Sequence, residues 1–168
     1  MNKAIPLLVI RFIVLVLFQV LIGNHINFLD TINPYIYILF IIYFPVQNNR
    51  MLFLFISFLL GLTVDLFSDS GGIHAAATLT VAYARPVILK FAFGSLYQNH
   101  NLKLSTTDLS TKIVYISLVT FIHHLVLFSL ETFSVSRTIF VLQKTLFTSI
   151  FTILLCIILS IIFSRNTK

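Results

Sequence analysis

The sequence predicts an all-α membrane protein that crosses the bilayer several times. Its apolar share is 58%, against roughly 45–50% in ordinary soluble domains. Only 10% of its residues are charged, and apolar runs recur along nearly the whole chain with short polar breaks. In lipid every backbone N–H and C=O needs a partner within the protein, which leaves helices and closed barrels. The runs lack the alternation of barrel strands, so helices are expected. A soluble, fully buried helical core is the other reading, but it would leave no amphipathic layer to face water. Residues 1–168 therefore read as a single integral membrane domain without internal repeats.

A helix needs about 20 residues to cross a hydrocarbon core of roughly 30 Å. The stretches 5–22, 51–67, 73–93, 113–130 and 139–163 meet that need. The first follows Lys3 in the manner of a secretory signal, yet no small-x-small cleavage site stands at Leu21-Ile22-Gly23-Asn24, so it reads as a retained span. The stretch 34–46 is short between Pro34 and Pro45 and allows a re-entrant or interfacial reading.

Charge decides between them. With six spans and a cytoplasmic N-terminus, Lys3, Arg50, Lys90, Lys103, Lys112, Arg165 and Lys168 lie inside and only Arg137 outside. If 34–46 did not cross, Lys90, Lys103 and Lys112 would move outside and the asymmetry would be lost. Six transmembrane helices are expected, with both termini and the loop 95–111 cytoplasmic. Tyr35, Tyr37 and Tyr43 suit the aromatic belts at the ends of the second span.

The net charge of +6 is scattered at the ends of apolar runs rather than gathered on one face, which argues against a nucleic-acid partner. Cys156 is the single cysteine, so neither a disulfide framework nor a cysteine-based metal site is expected. No Ser/His/Asp set, glycine-rich phosphate loop or HExxH stretch stands in the chain. No enzyme activity and no cofactor are expected.

The informative residues are ionisable groups within the spans, because a charge at mid-membrane costs about 2.5–3.5 kcal/mol on insertion scales. Arg85 is just past the middle of the fourth span, beside Pro86 and among Ala75, Ala76, Ala77, Ala82 and Ala84. An interior position with a carboxylate, carbonyl or water partner is favoured there over snorkelling to the surface. Asp65, Asp69 and His74 surround the Gly71-Gly72 turn. If the third helix continues past this point, the two carboxylates share one face and His74 opposes them. Ordering of the turn, or docking, is favoured over metal binding because the ligand set is incomplete. Arg11 and Lys144 read as snorkelling side chains. His123-His124 reads as a pair of neutral imidazoles bonded to other helices. Glu131 and Arg137 read as a surface pair.

The central hairpin runs Phe58-Leu59-Leu60-Gly61-Leu62-Thr63-Val64-Asp65-Leu66-Phe67, then Ser68-Asp69-Ser70-Gly71-Gly72-Ile73-His74-Ala75-Ala76-Ala77. It resembles the rod shape-determining protein MreD family: a glycine, an aspartate four residues later at the end of a span, a short loop, and a glycine opening a small-residue span. Gly61, Asp65 and Gly72 fill those places. Pro34-Tyr35-Ile36-Tyr37, ending at Pro45 and Arg50, is similar to the family's second span, so the resemblance covers 34–93.

That resemblance implies a non-catalytic subunit of the bacterial inner membrane that maintains rod shape within the cell-wall elongation complex. It implies the bitopic protein MreC as direct partner, with MreB, RodA and a class B penicillin-binding protein in the same assembly and membrane lipid around it. It also implies a fold similar to the S-components of energy-coupling factor transporters, and hence an alternative function as a small-molecule-binding transporter subunit. Docking of MreC is expected on the third and fourth spans and their outer turn, through Asp65, Asp69 and His74 and the small residues Ala75, Ala76, Ala77, Thr78, Thr80 and Ala82, because close packing and polar contacts drive helix association in lipid; the other reading is that these small residues only pack the fourth span against its own neighbours.

Overall fold

The structure is a computed structural model and describes residues 4–26, 28, 32–46, 49–98, 102, 104 and 107–165. Lys3, Lys103 and Lys168 of the charge count lie outside the described residues. The helices are α1 (Ala4–Leu21), α2 (Leu39–Tyr43), α3 (Arg50–Ser68), α4 (Ile73–Phe93), α5 (Ser95–Gln98), α6 (Leu109–Thr132) and α7 (Thr138–Arg165). Among the described residues, five helices are long and apolar enough to cross a membrane. The chain is an all-helical, multi-pass membrane protein.

Local chemistry sets the helix ends. Asn49 accepts from Met51 N to start α3, and Asp108 accepts from Ser110 N to start α6 four residues before the apolar run. Asp69 closes α3 in the left-handed conformation at φ 51°. Gly71 and Gly72, at φ 66° and 95°, then turn the chain straight into α4. The sharp reversal places α3 and α4 side by side and antiparallel.

The helices gather into two ends. Asn24, just beyond α1, donates to Ser68 Oγ at the end of α3 over 2.9 Å, so α1 and α3 run in parallel. Lys144 near the start of α7 binds Glu131 near the end of α6 at 2.8 Å. The finish of α1, α3 and α6 and the start of α4 and α7 form one end, called distal; the opposite end is proximal.

The expected second span is the main departure from the sequence reading. It is not a continuous helix. Only residues 36–43 are helical, as a 3₁₀ turn (Ile36–Ile38) followed by α2. The segment still runs the length of the bundle: Pro34 O is bonded by Gln19 at the distal end of α1, while Tyr43 OH is bonded to Ser160 near the proximal end of α7. At about 1.5–2 Å per helical residue and 3.3 Å per extended one, residues 34–46 reach roughly 30 Å.

Irregular backbone is tolerable at membrane depth only when protein encloses it. Ile36, Tyr37, Ile38, Leu39, Phe40, Ile41, Ile42 and Phe44 are all buried. They form the centre of the core with Leu60, Val64, Val81, Leu89, Tyr115 and Val119. By contrast, α1 turns Ile10, Ile13, Val14 and Leu17 outward. The most apolar long helix thus lies at the periphery, and the short segment that looked marginal by length holds the centre.

Candidate functional site

Burying an irregular segment leaves helix-end donors and acceptors without intrahelical partners, and side chains from the long helices supply them. Gln19 answers the first end: its Nε2 donates to Pro34 O at 3.0 Å and its Oε1 accepts from Ile36 N at 2.8 Å. Arg85 answers the other. Its Nη2 donates to Phe44 O at 2.6 Å and Ile42 O at 3.2 Å, and its Nε donates to Tyr115 Oη at 2.8 Å. The guanidinium also lies over the Phe53 ring at 4.9 Å.

Arg85 is therefore interior, 4% exposed, with carbonyl partners as its depth implies. The carbonyls come from the last turn of the short α2 and from Phe44 just beyond it. Sequence position gives depth on one helix, but not which other segment approaches it.

The hairpin is fastened by a second clamp. Asp65 Oδ1 accepts from His74 N at 2.9 Å and from Ser70 Oγ at 2.5 Å, while Oδ2 accepts from Ala75 N at 2.8 Å. A carboxylate at the first turn of α4 satisfies two orphan amides and faces the positive end of the helix dipole. Asp69 takes no part in this. Because α3 ends at Ser68, Asp69 turns away as the exposed helix cap, so the two carboxylates do not share a face and His74 does not oppose them as a pair.

His74 points into a buried polar chain. Tyr37 Oη lies 2.8 Å from His74 Nδ1 and 2.9 Å from His123 Nε2. One hydroxyl proton serves only one of these contacts, so the other ring must donate to the Tyr37 oxygen. His123 Nδ1 is buried without a hydrogen-bond partner among the described residues. An orphaned N–H there is costlier than an orphaned lone pair, which assigns the Nε2–H tautomer to His123. Tyr37 then donates to His74 Nδ1, and His74 Nε2 carries its proton.

A separate chain fixes His124. Tyr35 N donates to Thr152 Oγ1 at 3.3 Å, Thr152 Oγ1 donates to His124 Nε2 at 3.4 Å, and His124 Nδ1 donates to Thr120 O at 2.6 Å. The two neighbouring histidines thus serve different partners, as their positions on a helix demand.

Through His74 and Tyr35 these chains meet the wall of a distal cavity of about 400 Å³ lined by Asn24, His25, Tyr35, Ser70, His74 and Glu131, among others. The lining comes from the α1 exit, the hairpin turn and α6. Of the expected site residues only His74 is on its wall, with Asp65 bonded to Ser70 beside it. Tyr37, expected as an interfacial aromatic, is instead fully buried, while Tyr35 is half-buried on the cavity wall at the distal end. Glu131 pairs with Lys144, not Arg137, because α7 brings Lys144 back alongside the end of α6.

Thr80 is exposed on the outer side of α4 and Ala76, one turn before it, is half-buried, whereas Ala75, Ala77, Thr78 and Ala82 are buried in the contacts with α3 and α6. Tyr83, Val87 and Phe91 continue the outward face and are strongly exposed. The small residues of α4 are thus divided: some pack the bundle and some look away from it. Among the described residues, no group of three His, Cys, Asp or Glu side chains is arranged to hold a metal ion. Compared with protein-family models, with curated proteins and with solved structures, the chain matches none of them.

Proposed function

We propose that the chain is a non-catalytic membrane subunit of the cell-wall elongation complex, similar to the MreD family, and that it holds the transmembrane helix of MreC against the outer face of α4. The observation that supports this reading most is that exposed Thr80 and half-buried Ala76 stand on one side of α4, while its opposite side is buried against α3 and α6. Small side chains facing lipid gain little there, whereas facing another helix they allow close approach. The exposed Tyr83 and Val87 extend the same surface. On this reading MreC connects the subunit to MreB, RodA and a class B penicillin-binding protein. Co-purification of MreC with the wild-type chain and with variants of this face tests it.

The same reading includes the topology. The buried segment 34–46 counts as the sixth crossing, which puts both termini on the cytoplasmic side of the bacterial inner membrane, with the proximal end cytoplasmic. The charge asymmetry supports this, and so does the reach of about 30 Å available to 34–46.

The distal cavity favours a second reading, a small-molecule-binding subunit with an S-component-like architecture. Convergent polar groups above a buried network are what a ligand pocket requires, and about 400 Å³ falls within the range of such pockets. Native mass spectrometry of the purified chain decides it. A bound small molecule lost in His74→Ala supports this reading; an empty spectrum together with MreC capture returns the case to the first.

A further inference from the structure

We infer that the proximal end of the bundle holds a phosphate-binding site, built on Arg85 and Arg50, whose ligand is the phosphate group of a membrane lipid or a free phosphate. The first observation is a charge imbalance. Arg85 is 4% exposed, and the partners it bonds, Tyr115 Oη, Ile42 O and Phe44 O, are all neutral. Carbonyl dipoles and the Phe53 ring offset part of the cost of a buried cation, but a full counter-charge is missing among them.

The chain has few carboxylates to supply one. Asp65, Asp69 and Glu131 are at the distal end, Asp108 is exposed at the start of α6 and bonded to Ser110, and Asp30 lies outside the described residues. None of the four described carboxylates contacts Arg85.

The second observation is space beside the charge. A cavity of about 120 Å³ is lined by Arg85 and Arg50, with Tyr97 and the apolar Pro45, Pro86 and Leu89. Arg85 Nη1 makes no hydrogen bond to the described residues. Arg50 is held at the site with its guanidinium 5.2 Å from the centre of the Tyr83 ring. The cavity is well below the roughly 300–1,000 Å³ of pockets for drug-sized molecules, so it fits one compact group. Two guanidiniums and a phenol suit a tetrahedral oxyanion, and guanidinium forks match phosphate geometry.

The test uses the full chain in detergent, titrated in native mass spectrometry with phosphatidylglycerol, with diacylglycerol, and separately with inorganic phosphate. The wild type is expected to take up one saturable phosphatidylglycerol or phosphate, and no diacylglycerol. A lipid adduct that resists millimolar phosphate identifies the lipid as source; binding of inorganic phosphate alone identifies the free ion. Arg50→Gln, whose side chain has no part in the α2 clamp, is expected to weaken binding by about fivefold or more. Arg85→Lys should weaken it as well, and if that variant does not fold, Arg50→Gln decides. Absence of both adducts overturns the inference, and so does binding that is unchanged in Arg50→Gln or equal for diacylglycerol.

Discussion

Asp65 reaches the backbone amides of His74 and Ala75 because Gly61, one turn earlier on α3, has no side chain. A Cβ at Gly61 would stand 2.4 Å from His74 O and from Thr78 Oγ1, and 2.5 Å from Ala75 Cα. The glycine brings the two helices together, and the aspartate uses the resulting closeness to cap the second. Their four-residue spacing is the physical content of the motif in the sequence.

Gly61→Ala is therefore expected to destabilise the protein by about 1–3 kcal/mol or more, the usual range for overpacking, because the atoms in its way include backbone. Asp65→Ala should cost about 1–2 kcal/mol through the lost cap, with Asp65→Asn milder because its carbonyl still accepts one bond. Thermal unfolding of the purified protein in detergent, followed by size-exclusion profile, measures both. Gly61→Ala with wild-type stability would mean that α3 and α4 are farther apart than described.

The Arg85 clamp gives a second prediction. A lysine keeps the charge but lacks the planar fork that spans Tyr115, Ile42 and Phe44, so Arg85→Lys should destabilise by about 2–4 kcal/mol. Tyr115→Phe removes one partner only and should cost about 1 kcal/mol. Equal and negligible effects in the same unfolding assay would show that α2 does not depend on these bonds.

How far the sequence reaches is clear from these two clamps. The five long helices follow from hydropathy, since length and apolar content alone select a membrane span. The interior position of Arg85 follows from its depth on α4. Its partners do not, because Ile42 and Phe44 belong to a segment whose irregular path is set by burial among other helices rather than by its own periodicity. The Tyr37–His74–His123 chain was hidden for the same reason: its members come from three separate elements. The position of Asp69 turned on one residue at a helix end, the least determined feature of any sequence reading.

A third prediction concerns topology. In a Cys156→Ala background, Ser95→Cys at the proximal end should react with an impermeant maleimide only after permeabilisation, and Ser136→Cys at the distal end should react from outside. Both positions are exposed. Labelling of both from the same side would show that the buried segment does not carry the chain across.

A fourth concerns pH. The Ser110 hydroxyl, and then the backbone N–H groups of Ser110, Thr111 and Leu109, hold the Asp108 carboxyl below its ordinary value of 3.8. A carboxyl lowered on folding contributes stability above its unfolded value and loses it as the pH falls through the folded one. The stability gap between wild type and Asp108→Ala should therefore be present at neutral pH and shrink below about pH 4. A gap that widens on acidification would contradict the sign.

The most direct test of the account is capture of MreC by the chain carrying Ala76→Leu and Thr80→Leu together. Thr80 is exposed and Ala76 half-buried beside it on the same side of α4, while Ala75, Ala77, Thr78 and Ala82 carry the buried contacts, so insertion and unfolding temperature are measured on the same variant and should stay near wild type. Partner yield should then fall by about tenfold, since bulky residues keep the helices apart. MreC recovered at wild-type yield with a folded double variant would contradict the claim that this face of α4 holds the partner.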